Sequence, residues 1–331
     1  MSIRRAFVSG IAVLGAALCA AALHTEGARA QAYPSRPVRL IVPFPAGGSA
    51  DLLGRTLAKK MSEGLQQQVL VENRAGAGGT IGVTAVARAP ADGYTLGLGT
   101  VSTLGMAPVV RREPPYDSLA DFAPLSLVAS APFLLVVNAS VPAKSPAELV
   151  DLAKAKPGQL NFASIGEGTL QHFSGESFKS LTGTSMVHVP YKGVAPALVD
   201  LLAGQVQLMF DVLASFQVQN FQSGRLRALA VLGPSRVTQL PSVPTMAEAG
   251  LRGLEVTAWF GAIAPRGVPR EIVARLNAEV RKAVASAEMR EAISAQGFEP
   301  ATGSPEEFAA LIRGDLEKWA RVVKLTGFRA E

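Results

Sequence analysis

Two stretches of this sequence combine glycines, hydroxyls and the start of a helix in a way that suits an anion. The first is Phe44-Pro45-Ala46-Gly47-Gly48-Ser49-Ala50-Asp51 and the second is Ser164-Ile165-Gly166-Glu167-Gly168-Thr169-Leu170-Gln171-His172. The leading N–H groups of a helix have no internal partner, and the helix dipole adds partial positive charge at that end. Gly47 and Gly48 carry no side chain to hold a ligand off the main chain, and Ser164 and Thr169 put hydroxyls beside Gly166 and Gly168. A plain strand-to-helix turn that binds nothing has the same composition, so each stretch alone fits either reading. The first stretch is neither a Walker loop nor a dinucleotide fingerprint, because it matches neither GxxxxGK[ST] nor GxGxxG.

Catalytic groupings are weaker. His172 with Ser164 or Ser174 and one of Asp51, Asp200 or Asp211 supplies the residue types of a hydrolase triad. The nucleophile elbow GxSxG is missing, however, since Gly166-Glu167-Gly168 places a carboxylate where the serine would stand. His172 falls in the first turn of a helix, where it suits orienting a loop or meeting a ligand, and His188 reads as a satisfied core residue. Cys19 is the only cysteine and there are three histidines, so no disulfide, thiol nucleophile, metal site or cofactor is expected, and no enzyme.

The elements that must carry these loops follow from hydrophobic period. Val38 to Val42 reads as a buried strand, and Leu53, Leu57, Met61 and Leu65 mark one face of the helix that follows Gly48. A strand at 68–72, a glycine-rich turn at 73–80, a helix through Val86 and a strand at 93–100 complete a βαβαβ unit with a parallel sheet. Residues 108–124 read as a proline-interrupted loop, followed by the apolar run Leu125 to Val137. A second alternation has strands at 160–164, 186–190, 206–211 and 226–232 and helices at 169–181, 195–203 and 215–222. The C-terminal part holds a strand at 254–264 and two helices, one from Pro269 and one behind the capping box Ser304-Pro305-Glu306-Glu307.

Residues 1–30 read as an export signal: Arg4-Arg5 leads an uncharged run from Ala6 to Leu23, and Ala28-Arg29-Ala30 is a small-x-small cleavage site. The route, general or twin-arginine, stays open because the serine stands one place early for a twin-arginine motif. The net charge of +6 is scattered, with no basic cluster longer than two residues, which excludes an obvious nucleic-acid surface.

Further motifs resemble the extracytoplasmic solute receptors of tripartite tricarboxylate transporters, the Bug family. They include Pro43-Phe44-Pro45-Ala46-Gly47-Gly48 with Asp51, Glu72-Asn73-Arg74, Ala91-Asp92-Gly93-Tyr94-Thr95-Leu96, Val189-Pro190-Tyr191-Lys192-Gly193, Met209-Phe210-Asp211 and Trp259-Phe260-Gly261. That resemblance implies an α/β fold, the type II periplasmic binding protein, with two α/β domains around a ligand cleft joined by crossing strands. It implies a first domain of residues 31–128 with 234–331 and a second of 129–233. It also implies a periplasmic receptor, monomeric, that takes a small organic acid or amino-acid-like ligand and works with the membrane subunits of such a transporter. A ligand sensor without a transporter of its own is the alternative, and a hydrolase-like enzyme a more distant one. In such receptors one loop from each domain grips the ligand carboxylate, here through Phe44, Ala46, Gly47, Gly48 and Ser49, and through Ser164, Gly166, Glu167, Gly168, Thr169 and His172. Glu167 departs from the family, whose second loop carries a neutral residue there. If it lines the cleft it repels a second anion, with Asp211 as a further acceptor, and the ligand then carries one carboxylate and a donor group.

Overall fold

Val38, Leu40, Ile41 and Val42 are buried because the first strand, β1 (Val38–Val42), lies inside a sheet and under a helix. In the computed structural model, which describes residues 33–327 and Arg329, β1 leads through α1 (Ser49–Leu65) to β2 (Val69–Asn73), then through α2 (Thr80–Ala87) to β3 (Thr95–Thr100). β2 and β3 flank β1 in parallel, as the alternation predicts. The expected export signal at 1–30 lies outside the described residues.

After β3 the chain makes a π-helical stretch, Val101–Met106, and a short helix, α3 (Ala107–Val110). Thr100 and Thr103 close its entry reciprocally, each side-chain oxygen accepting the other residue's N–H. No hydrophobic period announces this bend, and the sequence reading assigns no element between the strand at 93–100 and the loop at 108–124.

The apolar run that begins at Leu125 belongs to a 17-residue strand, β4 (Phe122–Asn138). Its first part pairs antiparallel with β9 (Thr257–Pro265), and its second part with β7 (Leu208–Val212) and β8 (Leu226–Val231). Residues Phe133 to Val137 are fully buried because that part of the strand has neighbours on both edges. Between β4 and β8 come α4 (Pro146–Ala155), β5 (Asn161–Ser164), α5 (Leu170–Thr182), β6 (Val187–Pro190), α6 (Val194–Leu202), β7 and α7 (Ser215–Gln222). β5 runs parallel to both β6 and β7. The strand order is β2-β1-β3-β9-β4-β7-β5-β6, so β4 is shared by two groups of strands.

The chain returns through β9, α8 (Arg270–Ala285), α9 (Ala287–Ala295), the two-residue strand β10 (Glu299–Pro300) and α10 (Pro305–Thr326). Three helices stand where the sequence suggested two. A single residue, Ser286, separates α8 from α9 and caps the second by accepting the Met289 N–H, a break with neither glycine nor proline to mark it. The Asn277 amide donates to the carbonyls of Leu125 and Gly303, and Trp259 Nε1 donates to Asp315 Oδ2 at 2.6 Å. These bonds pin α8 to β4 and α10 to β9, so the C-terminal segment packs with the first strand group.

Candidate functional site

Asp51 organises the first loop without entering the cavity. It is only 2 % exposed, and its Oδ2 accepts the Gly47 N–H and Arg55 Nε, each at 2.9 Å, while Oδ1 accepts the Asn73 amide at 2.8 Å. The same amide donates to the Phe44 carbonyl. Burial alone would push this carboxyl up; the hydrogen bonds from Arg55, Gly47 and Asn73 outweigh it and hold the group below the usual aspartate range. Stability from this carboxylate is therefore present above the ordinary aspartate range and is lost as pH falls through its lowered folded-state value. Asp51→Ala leaves the Gly47 N–H and the Asn73 amide without this acceptor, and the expected loss is about 1–3 kcal/mol in urea unfolding at neutral pH. A variant as stable as wild type would remove this bracing role.

Past Gly47, whose φ of +85° only glycine adopts freely, the chain enters α1 with Gly48 as its N-cap. Neither α1 nor α6 has a side-chain cap. The two helix starts meet: a Cβ built on Gly48 would lie 3.6 Å from Val194 Cγ1, and one on Gly193, at φ +148°, 3.1 Å from Pro45 Cγ. Between them opens a cavity of about 330 Å³ lined by Gly48, Ser49 and Ala50 on one side and Lys192 to Pro196 on the other. Phe44, Phe133, Trp259 and Phe260 give it an aromatic body. The starts of both helices, with Lys192 just ahead of α6, thus border one space.

The second loop is built differently. Ser164 Oγ lies 2.6 Å from His188 Nε2 and within reach of the Gly166 N–H and carbonyl. Thr169 Oγ1 donates to the Gly166 carbonyl and caps α5 through the His172 N–H. The Gly168 N–H donates to His172 Nδ1, and the His172 ring stacks on His188 with centroids 3.6 Å apart and planes 9° from parallel. Burial first, then the neighbouring His188 and Lys179, push His172 down to about 3. Burial and Lys179 push His188 down to about 4, so both rings are neutral at neutral pH. The Gly166–Glu167 main chain packs on Gly78 of the glycine-rich turn after β2, and Glu167 itself is exposed. No triad forms: Asp51 is bound as above, Asp200 accepts the Tyr191 hydroxyl, and Asp211 accepts two glutamine amides.

Asp211 is 1 % exposed and lines the cavity from the end of β7. Its Oδ1 accepts Gln171 Nε2 and its Oδ2 accepts Gln217 Nε2, both at 3.0 Å. Burial pushes its carboxyl up to about 6 against the opposing pull of the Gln171 amide, the Val212 N–H and the Gln217 amide. Among the described residues no cation pairs with it, and no group of histidine, cysteine and acidic side chains could hold a metal ion.

Residues 53–328 match the model of the tripartite tricarboxylate transporter receptor family. The chain belongs to that family. Protein BugT of Bordetella pertussis is 39 % identical over 96 % of this chain and 97 % of its own length. Among solved structures, R. palustris Rpa4515 with adipate superposes with a TM-score of 0.84 at 38 % identity, covering 90 % of this chain and 99 % of that one. MatC from Rhodopseudomonas palustris with bound malate gives 0.83 at 34 % identity, covering 88 % and 100 %. The fold is accordingly that of a periplasmic binding protein, and the chain is a solute-binding receptor of this family.

In this receptor the sequence-selected residues divide. Phe44, Ala46, Gly48, Ser49 and Asp211 line the cavity. Gly47, Ser164, Gly166, Gly168, Thr169 and His172 do not, because their polar groups shape the two loops from behind, and Glu167 does not because its side chain is exposed; from the second loop region Ile165, Leu170 and Gln171 reach the space instead. Sequence reasoning also passed over Thr100, Ser102, Lys192 to Pro196 and Trp259 as site residues. Ser102 Oγ accepts the Leu170 N–H at 3.0 Å, joining the π-helical stretch to the start of α5. The signal for Thr100 and Lys192 was one of position: Thr100 ends β3 and Lys192 follows β6, at the carboxyl ends of parallel strands, where ligands of α/β sheets bind.

Proposed function

We propose that the protein is an exported periplasmic receptor that captures a small organic carboxylate and releases it unchanged. The observation that carries this reading is the meeting of two uncapped helix N-termini, those of α1 and α6, across one aromatic-lined cavity beside Lys192. A carboxylate there accepts N–H groups from both sides and neutralises the two dipole ends. The lobes are residues 31–128 with 234–331 and residues 129–233, connected through β4 and the chain's return into β9, and the ligand favours closure by touching both. The leader is removed near Ala30, the receptor acts as a monomer, and it delivers its ligand to the membrane subunits of a tripartite transporter. Adipate in Rpa4515 and malate in MatC support the ligand class.

Isothermal titration of the mature protein against an organic-acid panel that includes adipate and malate tests this. Saturable one-to-one binding is expected, with a change in the fluorescence of cavity-lining Trp259 and the acid recovered intact. Steady conversion of a bound acid would assign an enzyme instead. Failure of every acid to bind would leave a protein-binding module.

A further inference from the structure

The cavity has a second polar wall of opposite character. Asp211 and Gln171 both line it, and both are buried, the glutamine at 5 % exposure. The orientation of Gln217 is fixed, since its Oε1 accepts the Ala214 N–H while its Nε2 donates to Asp211 Oδ2. The Gln171 amide nitrogen is committed to Asp211 Oδ1, which leaves its Oε1 as a buried acceptor without a hydrogen-bond partner. This wall therefore holds a carboxylate and an orphan carbonyl without accessible surface, which a ligand meets once the Gln171 side chain turns, and both are acceptors.

Resting on the carboxylate reading above, we infer that Asp211 and Gln171 select acids that also carry a hydrogen-bond donor, an ammonium or hydroxyl group, at a distance from the carboxylate. A donor there satisfies Gln171 Oε1 and Asp211 together, and an ammonium also supplies the counter-charge that the buried carboxylate lacks. A second carboxylate in the same place meets an anion and an acceptor, with the Ser102 hydroxyl, beside Leu170, as the nearby neutral donor and the glutamine amides already used. The receptor's cargo is then an amino or hydroxy monocarboxylic acid with an apolar body, and dianions of the same length are discriminated against. The elevated carboxyl of Asp211 agrees with a group held without its charge partner.

The test compares acids of one chain length: hexanoate, hydroxyhexanoate and aminohexanoate with the donor on the terminal carbon, and adipate, together with benzoate, para-hydroxybenzoate and terephthalate. Titrations use wild type and Asp211→Asn at pH 7.5, with thermal unfolding as a check on folding. In wild type at least one donor-bearing acid binds roughly tenfold or more tighter than both its unsubstituted parent and the matching dicarboxylate. Asp211→Asn loses most of that preference and gains affinity for the dicarboxylate. Gln171→Leu, which removes the orphan carbonyl and keeps Asp211, narrows the preference in the same direction. If acids bind wild type without discrimination, or dicarboxylates bind tightest, the inference is overturned while the carboxylate reading stands. If neither series binds, both are overturned.

Discussion

Gly48→Val abolishes acid binding and leaves the protein folded. At φ −83° and ψ 171° the Gly48 backbone is extended, a conformation valine adopts without strain. Its Cβ would sit 3.6 Å from Val194 Cγ1 and 3.9 Å from the Pro45 carbonyl, an ordinary contact, so the backbone need not move. The added methyl groups then occupy the gap between the starts of α1 and α6, the place proposed above for the carboxylate. Loss of two or three charge-assisted hydrogen bonds at about 1.5–3 kcal/mol each amounts to a fall in affinity of roughly a hundredfold or more. Gly47→Val behaves differently. That position has φ +85° and its Cβ would meet nothing within 4 Å, so the substitution strains the backbone by about 1–2 kcal/mol without entering the cavity. Calorimetric titration with circular-dichroism melting separates the two: the first variant loses binding at near-native stability, the second loses stability first. Wild-type affinity in Gly48→Val would place the carboxylate elsewhere.

Asp211→Asn stabilises the free receptor at pH 8 and has no such effect at pH 4. Its folded-state carboxyl is raised to about 6, so in the window between the ordinary aspartate value and 6 the native protein holds a proton that the unfolded chain has released. Native stability from this group falls as pH rises through that window and stays low above it. A shift of this size corresponds to about 2–3 kcal/mol at neutral pH, the cost of ionising a group buried without a cation. Asparagine removes that cost. Its carbonyl still accepts from Gln217, and its amide can donate to Gln171 Oε1 once the Gln171 side chain turns, which satisfies the orphan acceptor. Urea unfolding at pH 4, 6 and 8 reads the effect: a stability difference of about 1–3 kcal/mol at pH 8 that closes toward pH 4 is expected. An asparagine variant less stable than wild type at pH 8 would show that Asp211 is ionised without penalty.

The amino-acid sequence by itself determined the strand–turn–helix units. The apolar spacing of β1 and α1, the capping serines at 145 and 304 and the glycine-rich turns after β1 and β5 are each written within about 20 residues, because periodicity and capping are properties of a single element and its ends. It also marked Gly48 and Ser49 as a helix start suited to an anion, and these two residues line the cavity. Only the tertiary structure decided which turns share a cavity. The loop from Ser164 to His172 has the composition of a binding loop, yet its hydroxyls and imidazole are spent on its own turn and on His188, a partner brought alongside when β6 pairs with β5. Lys192 to Ala195 carries little compositional signal and reaches the site because the order β2-β1-β3-β9-β4-β7-β5-β6 sets α6 opposite α1. The long strand β4 imposes that order by pairing with β9 along one part and with β7 and β8 along the other. Such pairings join residues from 71 (Val137 with Leu208) to 143 (Phe122 with Pro265) positions apart, and no local pattern encodes which strand edge an apolar run will choose.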